Sequence, residues 1–442
     1  LHQYTISTQL LKQQKDKNCA TMPNFYNRMR ENVKYHHALV EEFDAQDIMN
    51  FNEKGPVSFF KIFVKSKRYF YEVKRILKNV KSRIITHQTN LKKIKLENTS
   101  VRMYKNSTVK NMIQFKHIGI RDHQFTLYNE QVDFMLQYFI DNDIFSCGWL
   151  HAEGLETCKA NKLTTCDIEI DASGIKQVES RGMAPWRIFS YDIESLPAPH
   201  PNREGKFTFP IATKDPVVTV GGVLQIGDKL EQYVWILRPF GNEVKAFPAF
   251  TEKQDCDYKP EITTIYNFDN EAKMLDHFFS WCVKNDVDII QGHNCNRFDN
   301  TYMLGRYYAI YEENPVWGRL KAEESSVTMT TFSSNQKGSN QQYKLHLPGR
   351  VVMDSYDIMK DQHNESSYKL GDLAQTYLGT DKLPMDYDTI YPKYHTLEGR
   401  LDLAVYCVKD AWLVYKLMDK LCKLTVISQM ANVTGISMKD VM

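Results

Sequence analysis

From Pro185 onward the chain reads as three apolar strands in succession, then helix, strand and helix. That order constrains the region to an α/β fold, in which a sheet buries its apolar faces under helices. RIFSYDIE (187–194), VVTVGGVLQIG (217–227) and QYVWILRPF (232–240) are the strands, and the Gly221-Gly222 pair inside the second predicts a bulge. NEAKMLDHFFSWCVKND (270–286) has helical apolar spacing, VDIIQGHN (287–294) is a short buried strand, and NTYMLGRYYAIYEE (300–313) is a second helix. The polar stretch 323–346 reads as a projecting hairpin. GRVVMDSYDIMK (349–360) passes from strand to helix, SYKLGDLAQTYLG (367–379) ends on a glycine suited to a helix C-cap, and 397–424 is one long helix.

Ahead of Pro185 the pattern differs, which predicts a domain boundary near 180–186 and an α+β or β-rich amino-terminal domain over 1–184. FFKIFVKS (59–66) is strand-like, RYFYEVKRILKNV (68–80) is helical, and 88–108 is polar and loop-like. NEQVDFMLQYFIDND (129–143) is a helix with Val132, Met135, Leu136, Phe139 and Ile140 on one face, and TTCDIEIDAS (164–173) alternates like a strand. Charge is segregated as well. Residues 54–121 hold 18 Lys and Arg against Glu72 and Glu97, so this segment carries +16 in a chain whose net charge is only +2. Such a block either contacts a polyanion, by releasing counterions from phosphates, or forms a solvated surface.

Several classes are excluded by composition. The nine cysteines form no C-x-x-C pair and have no clustered histidines, which argues against structural zinc and for a reducing, intracellular setting. No apolar run approaches the roughly 18 residues of a membrane span. Leu1 is followed by no secretory signal, and without an initiator methionine the amino terminus reads as trimmed or partial.

Three groups of residues point to metal chemistry. Asp192 and Glu194 flank Ile193 in a strand, so the two-residue period sends both carboxylates to one face and Ile193 to the other. Alone, such a pair is common at strand ends. Asp299 follows a buried strand and opens a helix, where an ordinary N-cap is the simpler explanation. Tyr406 and Asp410 lie one helical turn apart, and Asp410 interrupts an apolar stripe, where a charge must be solvated, paired or metal-bound.

Taken in order, D-x-E, then N-x-x-x-F-D, then Y-x-x-x-D are the three motifs of DEDDy exonucleases. APWRIFSYDIES (184–195), DVDIIQGHNCNRFDNTYML (286–304) and LAVYCVKDAWLVYKLM (403–418) resemble the corresponding motifs of family B DNA polymerases. GRVVMD (349–354), YKLGDLAQTYLG, MANVTGIS (430–437) and FMLQYFIDNDIFSCGWLHA (134–152) are similar to delta-type members, including those of large DNA viruses such as baculoviruses. The resemblance covers residues 115–442 and reaches the first hundred only loosely. It departs from the family at His293, where a tyrosine is common, and in an insertion after Glu194. Nothing resembles the motifs that supply the palm aspartates, so polymerisation is not expected of these residues.

The resemblance implies an RNase H-like exonuclease domain, a mixed sheet flanked by helices, over 185–424, with 425–442 beginning a link to an absent polymerase palm. It implies 3′→5′ proofreading of DNA during replication, with Asp192, Glu194, Asp299 and Asp410 holding two Mg²⁺ or Mn²⁺ about 3.5–4 Å apart and Tyr406 orienting the attacking water. Hard oxygen donors suit those ions rather than zinc. Asn294 and Phe298 would contact the 3′-terminal nucleotides, Phe298 by stacking or by packing beneath Asp299. The hairpin at 325–346 would help separate primer from template, and Asp354 would support the metal site or be an ordinary strand-end residue. The implied partners are primer-template DNA and replication accessory factors, at replicating DNA in a nucleus. Two other readings compete: a free-standing DEDDy exonuclease, which would not need the segments at 134–152 and 430–437, and a non-catalytic nucleic-acid-binding module, which would be expected to lose a metal carboxylate.

Overall fold

The computed structural model describes residues 134–238, except 155, 158–163 and 181, and residues 262–442, except 322 and 335–337. It also describes residues 70–71 and four strands nearer the amino terminus. These are β1 (Tyr4–Leu10), β2 (Leu39–Ala45), β3 (Val57–Val64) and β4 (Phe125–Tyr128), an antiparallel sheet in the order β2-β3-β1-β4. The expected strand at 59–66 overlaps β3 over 59–64, and 65–66 lie outside the described residues. The expected helix at 68–80 and the loop at 88–108 lie essentially outside the described residues. Helix α1 (Phe134–Asp141) carries the expected helical segment, although Met135 and Ile140 of its supposed inner face are exposed. In 164–173 only Ile168–Glu169 is strand.

By internal contacts the chain divides into one unit of Leu1–Ile144 with Asp171–Lys176 and another of Phe145–Ile170 with Gln177–Met442. Most of 145–184 therefore groups with the second unit, whereas sequence pattern alone ends the first domain at 184.

The second unit is built on a six-stranded mixed sheet. Its strands are β5 (Arg187–Ser195), β6 (Val217–Ile226), β7 (Lys229–Leu237), β8 (Ile262–Phe268), β9 (Ile289–Gly292) and, after the hairpin β10 (Ser326–Ser334) and β11 (Gly338–His346), β12 (Val351–Asp354). The order is β8-β7-β6-β5-β9-β12. The β5–β6 and β6–β7 pairs are antiparallel, and β7–β8, β5–β9 and β9–β12 are parallel. Helices α2 (Glu271–Lys284) and α3 (Asp299–Tyr311) follow β8 and β9; α4 (Ser355–Gln362), α5 (Leu370–Leu378), α6 (Ile390–Tyr394), α7 (Leu397–Lys420) and α8 (Lys423–Thr434) follow β12.

Alternation along β5 decides what each face does. Phe189, Tyr191 and Ile193 point into a core with Trp235, Phe278 and Trp281, where Trp235 meets Phe278 edge to face at 5.4 Å. Each such aromatic contributes about 1.5–3 kcal/mol through burial. Asp192 and Glu194 take the opposite face, on which α7 lies with Ala404 and Val408 against Val234 and Ile236.

Two details differ from expectation, and a third agrees with it. The Gly221-Gly222 pair is no bulge, since the register shift lies between Val217 and Thr219. Gly221 instead lets α7 approach, because a Cβ there would stand 2.5 Å from the Val408 nitrogen. The long helix ends at Lys420, and α8 begins after Cys422, whose φ of 49° breaks the helical path. Gly379 is the C-cap of α5 at φ 69°, where a side chain would be strained.

Candidate active site

Strand β5 carries Asp192 and Glu194 to the face beneath α7, and the one-turn spacing on α7 turns Tyr406 and Asp410 toward them. Asp299 enters from α3. It is the first residue of that helix rather than its N-cap, a position taken by Phe298. Its Oδ1 instead accepts the Ile193 backbone N–H at 3.2 Å, between the two β5 carboxylates. Beside it, the Tyr191 hydroxyl donates to Asn300 Oδ1 at 2.5 Å and ties β5 to α3. All five sequence-predicted catalytic residues thus gather in one region.

The electrostatics show how crowded that region is. Burial, then the nearby Asp299, pushes the Asp192 carboxyl above the ordinary carboxylate range; burial, then Asp192 and Asp410, pushes Glu194 up further. Asp299 is also raised by burial, and Asp410 is pushed up to about 7 by burial and by Asp192. Burial and Asp410 raise the Tyr406 phenol, which stays neutral at working pH.

Among the described residues, Lys382 and Lys409 are cations that act on these acids. Lys382 pairs with Asp410 Oδ2 and lies 4.7 Å from the Tyr406 ring centroid. Burial works to lower its pKa, but Asp410, Asp192 and Tyr406 together outweigh that and hold it charged. Sequence reading missed Lys382, because a lysine in the turn-like segment TDKLPMD gives no signal that it points inward.

The oxygen-only donor set fits Mg²⁺ or Mn²⁺, and Asp410 Oδ1 is buried without a hydrogen-bond partner, as a group awaiting a cation would be. Among the described residues no three His, Cys, Asp or Glu side chains stand in a group that could already hold a metal ion. The carboxylates raise one another's pKa, and Lys382, joined at Asp410 by Lys409, works against that.

The loop leading to Asp299 is held from β12. Asp354 accepts the backbone N–H groups of Asn294 (2.8 Å), Asn296 (2.9 Å) and Tyr356 (3.0 Å), capping α4 with the last of these. Asn294 is left-handed at φ 59°, and its side-chain oxygen accepts from Arg297 at 3.3 Å. His293 bridges the Ser355 hydroxyl (2.9 Å) and the Tyr368 carbonyl (3.0 Å); burial pushes its pKa down to about 4. Phe298 packs half-buried against the core, with its ring 5.6 Å from that of Phe209. Phe209 is 70% exposed. It lies in the insertion after Glu194, which Tyr387 anchors by donating its hydroxyl to the Thr208 carbonyl at 2.6 Å. One of two phenylalanines in KFTFP (206–210), Phe209 gave sequence reading nothing to select it by.

Residues 125–373 match the family described as DNA polymerase family B, exonuclease domain, a match that ends before α7. The delta catalytic subunit of Schizosaccharomyces pombe is 31% identical over 322 residues, and that of Glycine max is 30% identical over 333; these cover 70% and 73% of this chain. The chain spans 28% of the length of each. In fold it is similar to the family B DNA polymerase of Pyrobaculum calidifontis, with a TM-score of 0.58 at 16% identity over 99% of this chain and 43% of that one.

Proposed function

Since the chain belongs to the family B DNA polymerases and carries their exonuclease domain, we propose that its second unit removes nucleotides from the 3′ end of DNA by two-metal hydrolysis, as a proofreading activity. The observation that carries this reading is the acidic cluster itself: four carboxylates from β5, α3 and α7, each raised by burial, with one oxygen of Asp410 left unpartnered.

Asp192, Glu194, Asp299 and Asp410 are the groups that would hold two divalent ions, which when bound would activate water and stabilise the departing 3′-oxygen. The residues themselves do the rest. Tyr406, neutral and close to Lys382, orients the attacking water by its hydroxyl rather than acting as a base. Lys382 offsets negative charge beside Asp410 and is placed to meet charge that develops on a scissile phosphate. Phe209 offers an exposed ring on which a terminal base can stack, and stacking accepts any base, as proofreading requires. Phe298, half-buried, supports Phe209 from below, and Asn294 would contact the 3′-terminal nucleotides.

The reading extends to organisation and setting. The nuclease domain runs over 185–424, the amino-terminal domain over 1–184 brings a basic segment (54–121) to DNA, and 425–442 begins the link to a polymerising domain. DNA is the substrate, replication factors are the partners, and the nucleus is the compartment. Among the described residues no helix is long and apolar enough to cross a membrane.

The test is to incubate the chain with a 3′-mismatched primer-template and Mg²⁺, alongside Asp192→Ala and Asp410→Ala. Release of nucleoside monophosphate that both substitutions abolish is the expected result. A parent protein that binds DNA but releases nothing would instead favour the non-catalytic module.

A further inference from the structure

Cys407 plays no part in the chemistry above, yet it joins α7 to both strands beneath it. Its sulfur accepts the Gly221 backbone N–H at 3.1 Å, and its S–H donates to the Asp192 carbonyl at 3.0 Å. Gly221 and Asp192 are register partners across the β5–β6 ladder, so one thiol bridges the two strands at the residue that bears a catalytic carboxylate. The side chain is fully buried, and burial, followed by Asp192, raises its pKa far enough to keep the S–H donor in place.

This contact depends on an unusually close approach. A Cβ on residue 221 would lie 2.5 Å from the Val408 nitrogen and 2.6 Å from the Cys407 carbonyl carbon, so only glycine lets α7 settle this deeply. Helical geometry converts the anchor into a constraint on the site. Successive helical residues advance about 1.5 Å and rotate by a fixed angle, so pinning Cys407 sets both the depth and the rotation of its neighbours. Tyr406 precedes it, and Asp410 follows one turn later.

We infer that Cys407 is a positioning residue: its thiol fixes the phase of α7 against the Asp192 backbone, and thereby the separation of Asp192 from Asp410 and Tyr406. This rests on the nuclease reading for its consequence, but not for its geometry.

The experiment compares the parent chain with Cys407→Ala and Cys407→Ser. It measures kcat and KM on a single-stranded oligonucleotide, the Mg²⁺ concentration giving half-maximal rate, the thermal midpoint, and amide hydrogen exchange of the segment 217–226. In Cys407→Ala, kcat should fall and half-saturating Mg²⁺ should rise, each by about tenfold, while KM for DNA stays within about twofold. The Gly221 amide, having lost the sulfur as an acceptor, should exchange faster. Cys407→Ser keeps a donor and an acceptor, and should recover kcat to within about threefold of the parent.

An alanine variant with unchanged kcat and Mg²⁺ dependence overturns the inference. So does a serine variant as impaired as alanine with an equal loss of thermal midpoint, because that pattern means packing alone. Should the parent release no nucleotide, the nuclease reading fails by itself. The exchange measurement then still decides the anchor, and an unaltered Gly221 amide would refute it.

Discussion

Asp354, at the end of β12, and Asp410, in the middle of α7, expose 3% and 2% of their surface, and burial raises both carboxyls. Their surroundings differ. Asp354 receives three backbone N–H groups, so both of its oxygens are engaged by the fold. Asp410 pairs through one oxygen with Lys382 and leaves the other buried and unpartnered. A buried polar atom without a partner costs about 1–3 kcal/mol, a cost that persists in a fold when a function needs that atom. The comparison separates a carboxylate that builds the loop from one that is held ready for something outside the chain.

The sharpest way to break this distinction is to substitute each in turn. Asp410→Asn should lower nucleotide release by about a thousandfold or more, the scale of several kcal/mol of lost metal stabilisation. Its thermal midpoint should stay within about 4 °C of the parent. If activity and midpoint fall together, Asp410 is structural and the contrast is gone. Asp354→Ala should do the reverse, with denaturant titration showing a loss of about 3 kcal/mol as three N–H groups lose their acceptor. A loss below about 1 kcal/mol would mean that the loop holds without it.

Two smaller effects refine the picture. Phe209→Ala should raise KM for single-stranded 3′ ends about tenfold, since base stacking contributes roughly 1–3 kcal/mol, and should leave kcat nearly intact. An unchanged KM would remove Phe209 from the substrate path. The smallest effect is a dependence of metal stabilisation on pH. The Asp410 carboxyl is raised in the fold to about 7 from an ordinary 3.8, so the metal-free folded state binds the extra proton and loses stability as pH climbs through that window. Mg²⁺ requires the ionised form. The rise in thermal midpoint on adding a fixed Mg²⁺ concentration should therefore be small at a pH well below 7 and larger above it. A rise independent of pH would show that the ion binds elsewhere.

Much of the second unit was legible in its sequence because its elements are strongly periodic. The strand bearing Asp192 and Glu194 was expected at 187–194 and runs from Arg187 to Ser195, and α2, α3 and the β10–β11 hairpin lie within a few residues of expectation. The errors occur where close packing overrides local signals. Gly221 and Gly222 look like a bulge in sequence, but they are glycines because α7 and the Phe189 ring press against them. Likewise, nothing local separates an exposed lysine from Lys382.

Sequence alone determined which side chains share a face: the two-residue period of β5 turns Asp192 and Glu194 together, and the spacing on α7 does the same for Tyr406 and Asp410. Those are properties of backbone geometry within one element. Tertiary structure alone decided that Lys382 would stand among the acids, that Asp354 would spend its oxygens on the loop before Asp299, and that Cys407 would rest on the Asp192 carbonyl. Each of these contacts joins residues from 28 to 215 positions apart. Such contacts depend on how whole elements pack, which no local pattern encodes.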